Sequence, residues 1–211
     1  MHTFLQYFRP FSLPLLLLMM TLLMGCKVGE DDPLFSLSSR DARIKSTWRL
    51  MRMEIETKLN RFTQGGLPTE TLVSASYDSQ NLRIVNTINE SVLNDTTIGF
   101  AYIMELLDRG KLTYTTTVIN QGVGVRSGGE DSWFWLNDDR RKSRIYLGSA
   151  LQFTQLIGDL AGRQALFTEL EVRELRGDLL RLTIRKRIEQ TSLDGNFQEL
   201  LITGDFEFRP N

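Results

Sequence analysis

Between Thr69 and Arg209 the chain contains no proline, and over most of that stretch apolar side chains return at every second residue. Proline cannot donate to a strand ladder, so its exclusion fits a chain whose backbone N–H groups are nearly all committed to sheet hydrogen bonds. A period of two sends alternate side chains to opposite faces, which is the strand signature. Ile98, Phe100, Tyr102, Met104 and Leu106 alternate with smaller or polar residues. Asp108-Arg109-Gly110-Lys111 then turns the chain, and Leu112, Tyr114, Thr116 and Val118 alternate again. Trp133 to Trp135 begin another strand, residues 137–139 turn it, and residues 144–147 return. After Arg176-Gly177-Asp178, the residues Leu180, Leu182, Ile184 and Ile188 share one face against Arg181, Thr183, Arg185 and Arg187. The last strand repeats the pattern with Leu200, Ile202, Phe206 and Phe208.

Successive hairpins of this kind predict an all-β fold, an antiparallel up-and-down β-barrel of about eight strands, since closure removes the exposed edges. The expected barrel covers residues 43–211. Two places interrupt the pattern. In residues 149–166, Phe153, Leu156, Ile157, Leu160 and Ala161 stand at helical spacing behind Ser149, a suitable N-cap, so a short helix or turn cap is expected there. Near Leu50 the apolar phase slips from Trp48 and Leu50 to Met51, Met53 and Ile55, which predicts a β-bulge.

The first 25 residues are of another kind: 16 are apolar and the only charge is Arg9. The run over residues 11–24 is broken only by Ser12, Pro14 and Thr21. It is shorter than the roughly 20 residues a spanning helix needs, so residues 1–25 read as an export signal. Its removal would leave 186 residues, enough for one domain with a core. It would also leave 24 basic and 26 acidic residues, no histidine, and Cys26 as the only cysteine. That composition excludes Ser-His-Asp and Cys-His catalysis, Cys/His zinc sites and an intrachain disulfide. The near-neutral balance argues against nucleic acid as a partner.

Leu23-Met24-Gly25-Cys26 resembles the lipobox of bacterial lipoproteins, with leucine three residues before the cysteine and a small residue just before it. The resemblance implies a lipid on Cys26 and attachment to a membrane. Several acyl chains anchor stably where one does so only marginally. Residues 26–42 then form a polar linker that carries Glu30-Asp31-Asp32-Pro33. This acidic cluster resembles the surface-export signal of some Gram-negative lipoproteins, and a solvated spacer has the same composition.

Ile44-Lys45-Ser46-Thr47-Trp48-Arg49-Leu50 resembles the opening strand of lipocalin-like domains, in which a Gly-x-Trp element lays an indole across one end of the barrel. Here Ser46 stands where the family has glycine. The family also stacks a basic side chain of the last strand on that indole, which by position implies Arg209.

Few residues offer chemistry. The segment from Gly122 to Gly129 is glycine-rich, but Glu130-Asp131 and a strand follow it, so it reads as a flexible loop at the barrel mouth rather than a phosphate cradle. Glu130-Asp131 and Asp138-Asp139 lack the spaced oxygen ligands of a calcium loop. Trp133 and Trp135 share a face, where they would line a cavity, offer a platform to sugar rings or fill the core. Tyr102, Tyr114 and Thr116 would place hydroxyls among apolar walls, the mixture small-molecule pockets use. Tyr102, Tyr114, Trp133 and Trp135 are therefore the candidate ligand-binding residues, with Cys26 the site of lipid attachment. Glu169 and Glu171 are expected to face Arg185 and Arg187 across a hairpin. Lys186 shares parity with Ile184 and Ile188, which puts it at the barrel end with its ammonium in water or inside near an anionic head.

These features predict a lipid-anchored envelope protein of a Gram-negative bacterium, in the outer membrane and either periplasmic or surface-exposed. Its expected role is non-catalytic binding of a small, partly apolar molecule in the barrel. The alternative is an accessory lipoprotein with a filled barrel that docks an envelope protein partner. No catalytic residue, cofactor or metal is expected.

Overall fold

The computed structural model describes residues 39–63, 65–136, 142–148, 151, 168–191 and 195–211. Cys26, the expected signal segment, residues 26–38 of the expected linker, Asp138-Asp139, and all but Leu151 of the helix expected over 149–166 lie outside the described residues. The fold opens with a short helix, α1 (Arg40–Ile44), so the end of the stretch expected to be linker is helical. Among the described residues eleven strands follow: β1 (Thr47–Phe62), β2 (Thr69–Tyr77), β3 (Asn81–Ile88), β4 (Ser91–Leu106), β5 (Lys111–Asn120), β6 (Val123–Ser132), β7 (Phe134–Trp135), β8 (Arg144–Tyr146), β9 (Glu169–Leu175), β10 (Leu180–Thr191) and β11 (Phe197–Pro210).

All eleven belong to one antiparallel sheet in the order β6-β5-β4-β3-β2-β1-β11-β10-β9-β8-β7, with a further pairing of β1 to β4. The all-β, antiparallel expectation holds. The strand count exceeds about eight for two reasons. The β2–β3 hairpin lies between β1 and β4 only along part of their length, because Met53 to Arg61 pair with β2 while Thr47, Trp48 and Arg49 pair directly with Glu105, Met104 and Ile103. A single residue, Trp133, separates β6 from β7, and it divides a run that pairs first with β5 and then with β8.

The bulge predicted near Leu50 is present: the β1–β11 register shifts between Leu50 and Arg52, leaving Met51 over. Trp48 and Leu50 before it and Met53 and Ile55 after it are therefore all buried on one face. The glycine-rich segment is not the expected loop. It forms strand β6, and the turn sits before it at Gln121 and Gly122, both with positive φ (49° and 80°). The threonine-rich strand β5 supplies a complete ladder partner, and the glycines allow close approach. A Cβ on Gly129 would stand 2.7 Å from the Tyr114 hydroxyl, and one on Gly128 2.6 Å from the Tyr114 carbonyl.

The core lies on one face of the sheet and is concentrated at the end that holds α1. Trp48, Leu50, Met104, Leu106, Leu112, Leu180 and Phe208 are fully buried there or nearly so. α1 docks on this end through Ile44, whose carbonyl accepts from Trp48 Nε1 at 2.8 Å, and through Arg43, which donates to the Leu175 carbonyl. Ser39 caps the helix by accepting from Ala42 N at 3.2 Å. Beside it the buried carboxylate of Glu174 meets Arg176 at 2.5 Å and Arg181 at 3.0 Å. At the opposite end, residues 91–97 of β4 and most of β6 are exposed.

Candidate functional site

The core-facing side of the sheet carries three groups of polar or aromatic side chains at different levels. Nearest α1, Trp133 and Trp135 stand edge to face with ring centroids 6.2 Å apart. Both indole N–H groups are engaged: Trp133 Nε1 donates to the Leu107 carbonyl at 2.9 Å and Trp135 Nε1 to Asp41 Oδ1 at 2.7 Å. Asp41 also accepts from Lys142, and that bond, opposed by partial desolvation and aided by Trp135, holds its carboxyl below the usual value. With Trp133 5% exposed, the pair ties α1 and, through Asp41, Lys142 to the end of the sheet rather than presenting a flat platform.

At the middle level, Tyr102 is fully buried, paired across strands with Thr116, and its ring meets the edge of Phe208 at 6.4 Å. Burial pushes its hydroxyl well above the usual phenol value, and Tyr114 beside it adds to the shift. Tyr77 is a second buried tyrosine, which the periodicity alone did not single out. Its hydroxyl donates to the Phe100 carbonyl at 3.1 Å, and its ring meets Phe100 edge to face. The structure thus brings Tyr102 near Tyr114 and Trp133 near Trp135, as two pairs at two levels.

Furthest from α1, Lys186 of β10 faces the same side as Ile184 and Ile188 and lies opposite Ile202. Burial lowers its ammonium below the ordinary lysine value, against the pull of Glu169. Thr57 and Asn86 share this level, and the Thr57 hydroxyl and Asn86 Oδ1 are buried with no hydrogen-bond partner. No sequence signal marked these two, because only strand register places them beside Lys186.

Two pairings differ from expectation. Arg209 lies opposite Arg49 on the face away from Trp48 and bonds Glu207 at 3.4 Å, so it does not stack on the indole. The alternation of β11 accounts for this, since Arg209 directly follows the buried Phe208. Glu171 lies opposite Thr183 and Arg144, while Arg187 pairs instead with Glu199 at 2.6 Å and Glu189 at 2.9 Å. A bulge opposite Arg181 and Leu182 shifts the β9 register. Glu130, an exposed acid, pairs with Lys111 at 3.1 Å, and the half-buried Asp131 accepts from Ser132 N.

On the outer face, an open groove of about 320 Å³ runs between Arg52, Glu54, Arg173, Arg181, Asp205 and Glu207. Its charges neutralise one another, with Arg52 bonded to Glu54 and Arg181 to Glu207. Among the described residues no group of three or more His, Cys, Asp or Glu side chains is placed to hold a metal ion, and no helix is long and apolar enough to cross a membrane. Comparison with protein-family models, curated proteins and solved structures found no match.

Proposed function

We propose that this chain is a lipid-anchored protein of the bacterial cell envelope, held at the outer membrane through Cys26, and that its sheet forms a lipocalin-like barrel binding a small, partly apolar molecule without catalysis. The pairing pattern is the observation that carries this reading. β11 returns to β1, β1 pairs with β4 past the end of the β2–β3 hairpin, and β6 continues into β7 through Trp133. Followed round, these pairs link β1, β4, β5, β6–β7, β8, β9, β10 and β11, and the last meets the first. Such a circuit of eight supports a closed up-and-down barrel. The unpartnered hydroxyl and amide on its core-facing side support a ligand, because buried polar groups are nearly always satisfied. The lipobox-like residues before Cys26 support the anchor.

Native mass spectrometry of residues 27–211, purified from a cell extract without detergent, tests the binding role. A reproducible extra mass is expected. A bare chain that also takes up nothing from lipid and glycan extracts would overturn it. Cys26→Ala is expected to abolish labelling by a palmitate analogue and to release the protein from the membrane fraction; unchanged labelling would remove the anchor.

A second reading, an accessory lipoprotein that docks a protein partner, draws on a different observation. Val92, Leu93, Ile119, Val123 and Val125 are exposed on the neighbouring strands β4, β5 and β6. Loss of a co-purifying envelope protein on substituting Val92 and Val125 by threonine, with no bound small molecule in either form, would favour it.

A further inference from the structure

On the core-facing side of the sheet, one cross-strand row differs from the rows beneath it. Register puts Lys186 opposite Ile202, Ile202 opposite Thr57, Thr57 opposite Val73, and Val73 opposite Asn86. The next row toward α1 is apolar throughout: Ile184, Gly204, Ile55, Ala75 and Ile84. It forms a closed floor, because a Cβ on Gly204 would stand only 3.0 Å from Ile184 Cγ2 and 3.2 Å from Ile55 Cγ1. Away from α1, Ile188, Leu200 and Leu59 make the following row apolar over β10, β11 and β1, and Thr71 of β2 interrupts it before Ile88. Lys186 and Thr57 therefore stand between apolar neighbours on both sides, with Asn86 further along the same row.

The polar groups of this row are unsatisfied from within. Thr57 is 2% exposed and its hydroxyl has no partner, and Asn86 Oδ1 is buried in the same condition. Lys186 feels the Glu169 carboxylate but makes no ion pair with it among the described residues. The orphan atom of Asn86 is an acceptor, whereas the Thr57 hydroxyl and the Lys186 ammonium can donate. Adjacent strands stand about 4.8 Å apart, so Lys186 and Thr57 are separated by about 10 Å of sheet, and the long lysine stem covers much of that distance. Two donors on one row above an apolar floor fit an acceptor with a negative charge. One cation in the row matches one charge better than the two of a phosphate monoester.

We propose that Lys186 and Thr57 form the head-group end of the ligand site and take the carboxylate of a single-chain amphiphile. Its apolar chain runs along Ile188, Leu200 and Leu59 toward the end of the sheet away from α1, and Asn86 bounds the row on its far side. This rests on the barrel being a ligand binder. Arg61, exposed on the same face two rows beyond Thr57, is the competing cation for a carboxylate held at the rim.

The test is titration of the full Cys26→Ala protein, stripped of ligand by denaturation and refolding, with dodecanoate and with dodecanol. Dodecanoate is expected to bind saturably. Lys186→Met is expected to weaken it about tenfold or more, the loss of one charge-assisted contact. Lys186→Arg should restore most of the affinity, Thr57→Val should lower it by a smaller factor, and Arg61→Met should leave it unchanged. Dodecanol binding should not respond to Lys186→Met. If dodecanol binds and the dodecanoate affinity is indifferent to Lys186→Met, or falls with Arg61→Met instead, the head-group site is overturned and the binding role stands. If neither molecule binds, the head-group site is overturned, and the binding role is decided by the mass measurement on cell extract. Lys186→Met removes a partly desolvated charge and so does not threaten folding.

Discussion

Strand β4 passes through two regions with opposite surroundings. Residues 91–97 are exposed on both faces, whereas Phe100, Tyr102, Met104 and Leu106 are buried in alternation. Both halves are laddered, the exposed one to β3 with a register shift at Leu93 and the buried one to β5 and, at Ile103 to Glu105, to β1 as well. Ladder bonding alone therefore does not account for the contrast in burial. What differs is what stands across from them: near α1 the sheet faces the indoles of Trp48 and Trp133 and the rings of Phe206 and Phe208. Stability should accordingly be concentrated at the α1 end, because burying apolar area, rather than forming ladder bonds that replace bonds to water, provides most of the driving force.

Substitutions that strike one half and spare the other test that contrast. Trp48→Ala removes the largest fully buried side chain together with its bond to the Ile44 carbonyl, and should cost about 3–5 kcal/mol in denaturant unfolding. A loss under about 1 kcal/mol would mean that the end is not locked by this indole. Glu174→Ala should cost about 2 kcal/mol, less than a fully enclosed pair because Arg176 and Arg181 are half-exposed and regain water. A smaller effect attaches to Asp41. Its carboxyl is held below 3.8 by the bond from Lys142, so its contribution is complete above that value and is lost as pH falls through the lower, folded-state one. Because the pair is partly exposed, about 0.5 kcal/mol is expected. Trp135 fluorescence should report it as an acid transition that Asp41→Asn removes. At the other end, Val92→Thr and Val125→Thr should each change stability by less than about 0.5 kcal/mol. A larger loss from either would show that the exposed half is covered in the native protein.

Much of the strand pattern was legible. The alternation of Leu180, Leu182 and Ile184, and of Phe206 and Phe208, marked faces that are indeed buried, and the phase slip at Met51 marked a real bulge. The glycine-rich segment misled because glycine composition usually signals a loop, while here strand β5 supplies a partner that imposes extension on it. The strand count was understated because the β2–β3 hairpin carries many threonines, serines and asparagines, which blur the alternation. Position near the end of the last strand implies Arg209 as the partner of the indole, but it directly follows the buried Phe208, so the alternation of β11 turns it to the opposite face.

The candidate site divides in the same way. Parity assigned Lys186 to the apolar face from sequence alone, since successive side chains on a strand must alternate. That Thr57 and Asn86 stand on its row, 129 and 100 residues earlier in the chain, was decided by the pairing of β10, β11, β1, β2 and β3. A strand's own sequence dictates which residues share a face, because the period of two is local geometry. Which strands become neighbours, and in what register, depends on burial summed over the whole sheet, and only the folded chain resolves it.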